Sequence, residues 1–122
     1  MLSISHPQAG TRVKVFLAAQ PTDMRKSFDT LAALVQEVLK LDPLSGHLFV
    51  FRGKRADRVK ILWWDTHGYA IWYKRLEKGN FRFPRPDQDA ASVTISATDL
   101  AMLLDGVELS SVRRRPRYQL PA

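Results

Sequence analysis

The chain has no cysteine in its 122 residues. Disulfide bonds and thiolate metal sites are therefore excluded, and nothing in the composition indicates an oxidising compartment. No apolar run approaches the roughly 18 residues of a membrane-spanning helix, and the first twelve residues lack the apolar segment of a secretory signal. We therefore expect a cytoplasmic protein that has no membrane partner and whose length suits a single domain.

Catalytic and metal-binding signatures are also missing. The three histidines, His6, His47 and His67, stand far apart and form no paired motif of the kind that binds metal. The glycine patterns that cradle phosphates or position a nucleophilic serine do not occur either. The aspartates that a two-metal nuclease would need are explained locally by turns, by helix capping and by an Arg25–Asp29 ion pair. We therefore predict no enzyme activity, no catalytic residue, no metal and no cofactor.

Positive charge is abundant and unevenly distributed. The net charge is +7 and the isoelectric point is about 10.1. Residues 51–85 contain ten lysines and arginines against three acids, and residues 113–117 add four arginines with no acid. A basic surface of this kind predicts a polyanionic partner, with nucleic acid as the first candidate.

The apolar pattern predicts an α+β domain. Residues 12–18 are rich in β-branched side chains, and Met24, Phe28, Leu31, Val35 and Val38 then recur at helical spacing between residues 23 and 40. Further strands are predicted at 47–52, 58–65, 69–76 and 91–96, before a short capped helix at 97–106. We expect a mainly antiparallel sheet of four to five strands, with one long helix packed on its main face and a short C-terminal helix. Residues 13–106 form this domain, between a flexible leader at 1–12 and a basic, disordered tail at 107–122.

All three tryptophans lie in the stretch VKILWWDTHGYAIWYKRL, residues 59–76. A type I turn with a left-handed Gly68 would pair Asp65 with Tyr69, and the preceding loop would pair Arg52 with Arg58. Because side chains alternate between the faces of a strand, one sheet face and one helix stripe are then predicted to be buried together: Phe28, Leu31, Val35, Phe49, Phe51, Val59, Ile61, Trp63, Ile71 and Tyr73. The opposite face carries Leu48, Leu62, Trp64 and Trp72, followed by the cations Arg52, Arg58, Lys60 and Lys74. Two alternatives remain open for Trp64 and Trp72: burial within the protein, or stacking on nucleobases.

A second basic segment lies at the start of the predicted long helix. Arg25 and Lys26 fall in its first turn, where the backbone already presents positive partial charge. Cations are disfavoured there, whereas a phosphate is well suited to such a position. The alternative is local compensation by Asp23 and Asp29.

Three long strings in the sequence resemble a known family. These are QPTDMRKSFDTLAALV, LFVFRGKRADRVKILWWDTHG and YKRLEKGNFRFP. They are similar to the small accessory protein, of the second-open-reading-frame or TnpB type, of bacterial insertion sequences in the insertion-sequence-66 family. The similarity covers about residues 13–106. It implies a role in transposition beside a separate, larger transposase that carries the acidic catalytic triad, and it supplies no active site.

We therefore predict a non-catalytic DNA-binding accessory protein for transposition, located in the bacterial cytoplasm and on the nucleoid when bound. The predicted DNA contacts are Arg25, Lys26, Arg52, Lys54, Arg55, Arg58, Lys60 and Lys74, with Trp64 and Trp72 as stacking candidates. The alternative is an adaptor without direct DNA contact. Its second sheet face, with Leu48, Leu62, Trp64 and Trp72, would bind the transposase or a second copy of the chain, so homo-oligomerisation stays open.

Overall fold

The computed structural model describes residues 12–87 and 89–106. The predicted leader, apart from Arg12, and the predicted basic tail lie outside these residues. Within them the elements follow in the order β1 (Val15–Ala18), α1 (Phe28–Glu37), β2 (Leu48–Arg52), β3 (Arg58–Asp65), β4 (Gly68–Arg75), β5 (Ser92–Ile95) and α2 (Ala97–Leu104). The predicted α+β class is confirmed.

The sheet has five strands in the order β4-β3-β2-β1-β5. β1 and β2 are parallel, and every other neighbouring pair is antiparallel. Parallel strands need a crossover connection, and α1 lies within the segment that links β1 to β2. This topology places the carboxyl ends of β1 and β2 side by side, and the loops that follow both strands therefore start at the same end of the sheet.

Apolar side chains cover the sheet on both faces. On the α1 face, Leu31, Ala32, Val35 and Leu39 pack with Phe49, Phe51 and Leu62. On the α2 face the buried cluster comprises Val15, Leu17, Leu48, Val50, Val59, Ile61, Phe81, Leu100 and Leu103. Since both faces are buried, β2 is apolar at four successive positions rather than at alternate ones. No helix in the described part of the chain is long and apolar enough to cross a membrane.

The first helix is shorter than predicted. The structure places ten residues in α1, from Phe28 to Glu37, whereas the periodicity predicted a helix from 23 to 40. Asp23 starts a turn instead, because its carboxylate accepts a hydrogen bond from the backbone N–H of Arg25 at 2.9 Å. Aspartate bonds of this kind compete with helix formation. Arg25 and Lys26 therefore precede the helix and do not lie in its first turn.

Both predicted hairpin registers are wrong by one residue. The structure pairs Asp65 with Gly68 and Arg52 with Val59. At the β3–β4 turn the left-handed residue is Thr66, with φ of 58°, and Gly68 is already the first residue of β4. The turn is one residue shorter than predicted, and a slip of one residue exchanges the two faces of a strand.

The slip between β2 and β3 turns β3 over relative to the prediction, and the slip between β3 and β4 turns β4 back again. β3 is therefore the one strand of the two hairpins whose faces are exchanged. Val59, Ile61 and Trp63 consequently pack on the α2 face, away from Phe49 and Phe51. Ile71 stays on the predicted α1 face. Two other members of the predicted core are not buried: Phe28 is 46 % exposed and Tyr73 is 47 % exposed.

Candidate nucleic-acid interface

Two loops meet at the end of the sheet where β1 and β2 finish. The backbone N–H of Thr22 donates to the Arg52 carbonyl at 2.8 Å. Met24 packs so closely on Gly53 that a Cβ at this glycine would lie 3.0 Å from Met24 Cγ. Between the loops lies a cleft of about 450 Å³, here called the basic cleft, which is lined by Thr22, Asp23, Met24, Arg25, Gly53, Lys54, Arg55, Asp57 and Arg58.

Backbone hydrogen bonds hold the β2–β3 loop in place. Gly53 N–H donates to the Arg58 carbonyl at 3.1 Å, and Ala56 N–H donates to the Gly53 carbonyl at 3.0 Å. The segment after β4 supports the loop from outside, because Leu76 N–H donates to the Asp57 carbonyl at 2.7 Å and Phe81 N–H to the Ala56 carbonyl. The main chain is thus anchored, while the side chains of Lys54 and Arg55 remain exposed.

The electrostatics of the cleft favour an anion. Four basic and two acidic side chains line it, which leaves an excess of two positive charges. The Arg25 guanidinium donates to the Asp23 carboxylate at 2.7 Å through Nη2. This hydrogen bond, with a further one from the Arg25 backbone, holds the pKa of Asp23 well below its usual range. Arg25 therefore pairs with Asp23, and the predicted pair with Asp29 is wrong. The Arg25 side chain is still 92 % exposed.

Lys60 is mostly buried and is not among the residues that line the basic cleft. Its side chain is on the α1 face, and the residue is only 8 % exposed. Its ammonium donates to the Lys26 carbonyl at 2.7 Å and lies 4.8 Å from the centre of the Tyr73 ring. Across the ladder Lys60 faces Tyr73, whereas the predicted pairing of Asp65 with Tyr69 would have placed Lys60 opposite Lys74. The Lys60 ammonium therefore already has interaction partners within the protein.

Three other candidates lie on the α2 face. Arg52 donates to the Ala19 carbonyl at 3.4 Å, and its guanidinium lies 5.7 Å from the centre of the Phe83 ring. Lys74 donates to the Leu104 carbonyl at 3.4 Å, at the C-terminal end of α2, where a cation is favoured by the helix dipole. Trp72 packs against the buried cluster of this face. None of these three side chains is among those that line the basic cleft.

Trp64 lies on the opposite face from Trp72, near the far end of β3. Its ring meets Tyr69 edge to face, with the centroids 5.1 Å apart. Trp64 lies six positions after Arg58 along the strand, a span of about 20 Å. The predicted face that combined Trp64 and Trp72 is therefore wrong, because β3 is turned over.

The basic cleft combines residues that the sequence pattern presented as two unrelated segments. Arg25 comes from the first segment, and Lys54, Arg55 and Arg58 come from the second. Only the parallel pairing of β1 with β2 brings them together. Within residues 12–87 and 89–106, no group of three or more histidine, aspartate or glutamate side chains is arranged to hold a metal ion.

Comparison with known proteins identifies the family. The model of the family described as IS66 Orf2 like protein matches residues 13–114. The chain belongs to this family. The matched range includes both loops of the basic cleft, and membership makes the chain an accessory protein of transposition, as the resemblance implied.

Two similar proteins come from Sinorhizobium fredii (strain NBRC 101917 / NGR234). The uncharacterized protein y4hO is 44% identical over 100 residues, which cover 82% of this chain and 85% of y4hO. The uncharacterized protein y4jC is 40% identical over 110 residues, which cover 90% of this chain and 91% of y4jC. No solved structure matches the chain.

Proposed function

We propose that this IS66 Orf2-like protein binds DNA phosphates through the basic cleft and acts beside a separate transposase. The observation that carries the proposal is the convergence of Arg25 with Lys54, Arg55 and Arg58 around one open cleft. Arginine and lysine side chains are the principal phosphate partners in protein–DNA interfaces, where they position the protein without reading the base sequence. The cleft therefore suits a general DNA contact.

Arg25 is well placed to take part despite its ion pair. Asp23 accepts from Nε and Nη2 of the guanidinium, and the side chain as a whole is 92 % exposed. A guanidinium carries five N–H donors in a planar fork. Arg25 can therefore hold Asp23 on one side and contact a phosphate on another, while Asp23 fixes its orientation.

The adaptor alternative needed one exposed apolar surface, and that surface is not present as predicted. Leu48 is 2 % exposed and Leu62 is fully buried, and these two leucines lie on opposite faces of the sheet. The two tryptophans are divided between the faces in the same way. The transposase remains the protein partner that we propose, with the basic cleft assigned to DNA.

Paired substitutions of equal charge test the assignment. Lys54→Ala/Arg55→Ala removes two cations from the cleft. Arg12→Ala/Lys14→Ala removes two exposed cations from the opposite end of β1. Fluorescence anisotropy with several unrelated oligonucleotides should show the cleft variant weakened roughly 10- to 100-fold at about 0.1 M salt, alike for every sequence. The control variant should bind nearly as the wild type does.

Two results would count against the proposal. Equal losses in the cleft and control variants would mean that only total charge matters. A cleft variant that binds DNA normally but no longer binds the transposase would make the cleft a protein-docking site.

A further inference from the structure

We infer that Tyr73 is a stacking platform for an unpaired base of the DNA strand whose phosphates lie in the basic cleft. The inference rests on the proposed function and extends it, because it makes single-stranded DNA the preferred ligand. It also assigns stacking to a residue other than the two tryptophans. Four features of the structure carry it: exposure, ring orientation, proximity to the cleft and the placement of the tryptophans.

Tyr73 is an exposed aromatic residue at the margin of the packed part of the α1 face, where Arg58 and Arg75 are exposed as well. It is 47 % exposed, whereas its α1-face neighbours across and along the ladder, Lys60 and Ile71, are buried and half-buried. An aromatic ring open to solvent near cations is the combination found in single-strand binding sites, where bases stack on rings and cations follow the backbone.

Lys60 orients the ring. Its ammonium lies 4.8 Å from the centre of the ring, within the range of a cation–π contact. The ammonium is itself held by the Lys26 carbonyl at 2.7 Å. One side of the tyrosine ring therefore rests on a fixed, nearly buried cation, so the exposed part of the ring lies on the other side. A base can stack there without any rearrangement of the core.

Arg58 links the ring to the cleft. It lines the basic cleft, and its Nη1 lies 3.5 Å from the Tyr73 hydroxyl, to which it donates a long hydrogen bond. A phosphate at Arg58 and a base on Tyr73 would thus belong to the same nucleotide or to adjacent ones. Bases within a duplex are already stacked on their neighbours, so Tyr73 can accept only an unpaired base, at a single strand or a frayed end.

The tryptophans do not compete for this role. Trp72 is packed on the α2 face, and Trp64 is about 20 Å from Arg58 along β3. A strand that follows the cations of the cleft therefore reaches Tyr73 first.

Binding of Tyr73→Ala to matched single- and double-stranded oligonucleotides tests the inference. Single-strand affinity should fall between about 5-fold and about 100-fold, while duplex affinity and the salt dependence of binding stay unchanged. Tyr73→Phe keeps the ring and should bind within about twofold of wild type. Thermal unfolding establishes that the variants are folded, and Tyr73→Leu retains an apolar cover over Lys60 if the alanine variant is unstable.

Photocrosslinking locates the base directly. A single-stranded oligonucleotide that contains 5-iododeoxyuridine should crosslink to the peptide that carries Tyr73. Crosslinks at Trp64 or Trp72, or equal binding of both DNA forms by Tyr73→Leu and wild type, would overturn the inference. Failure of wild type to bind either form would instead remove the proposed function. Duplex binding that depends on Lys54 and Arg55, with no effect of Tyr73, would remove the inference alone.

Discussion

Individual lysines and arginines of this basic chain have different tasks. Lys60 is buried and donates to a main-chain carbonyl at 2.7 Å, which offsets part of the cost of removing an ammonium from water. Arg52 covers the Phe83 ring, and Lys74 caps the end of α2. Net charge therefore overstates the number of cations available to a partner. The exposed cations of the cleft are Arg25, Lys54, Arg55 and Arg58.

His47 provides a pH-dependent prediction at the level of one residue. Its Nδ1 accepts a hydrogen bond from the Lys14 backbone N–H at 3.0 Å, which requires a neutral ring. Burial, and secondarily the positive charge of Lys14, lower the pKa of His47. The unfolded chain therefore binds this proton more readily than the folded chain, so the stability that His47 contributes is complete above the unfolded pKa of about 6.5 and is lost as the pH falls through the lower folded value.

Two measurements check this expectation. NMR titration of the folded protein should place the pKa of His47 below about 6.5. Urea unfolding at a series of pH values should show the free energy of unfolding decreasing below that pH, and His47→Gln should lose this part of the decrease. A pKa at or above the ordinary value would mean that the ring accepts no hydrogen bond from Lys14.

At the level of elements, strand β3 decides which side chains reach which face. Its bounds, 58–65, are those expected from the sequence, and α2 begins at Ala97 as predicted, with Ser96 as its cap. The orientation of β3 was not predictable from the turn residues, because the left-handed positions of the two hairpins are Ala56 and Thr66. Neither residue type signals a left-handed conformation, whereas Gly68 does so and misled the assignment. The predicted start of α1 was wrong for a related reason, because aspartate can cap a helix but Asp23 forms a turn here instead.

A matched pair of substitutions tests the turn between β3 and β4. Thr66 is β-branched and has φ of 58°, so Thr66→Gly should raise the free energy of unfolding by up to about 1 kcal/mol. At Gly68 an added Cβ meets nothing within 4 Å, so Gly68→Ala should be neutral or slightly stabilising. Chemical denaturation measures both values. A clear loss of stability in Gly68→Ala, together with no gain of stability in Thr66→Gly, would favour the register with a left-handed Gly68.

At the level of the whole molecule, topology creates the candidate site. The sequence pattern indicated the fold class, the family and the four cations Arg25, Lys54, Arg55 and Arg58. It could not indicate that they share one cleft, because that depends on β1 lying parallel to β2. Tyr73 was assigned to the core because alternation placed it on the α1 face, and that face was expected to be covered along its whole length. Whether a given position is covered depends on the length of α1, which the pattern overestimated.

The salt dependence of DNA binding tests most directly whether the basic cleft contacts phosphates. Affinity for a duplex oligonucleotide is measured across a series of salt concentrations for wild type, Lys54→Ala/Arg55→Ala and Arg12→Ala/Lys14→Ala. Each neutralised phosphate contributes about 0.9 to the slope of log affinity against log salt. The cleft variant should therefore have a slope about two units shallower than wild type, and the control variant should keep the wild-type slope. An unchanged slope in the cleft variant, or equal flattening in both variants, would contradict the assignment of this cleft to DNA.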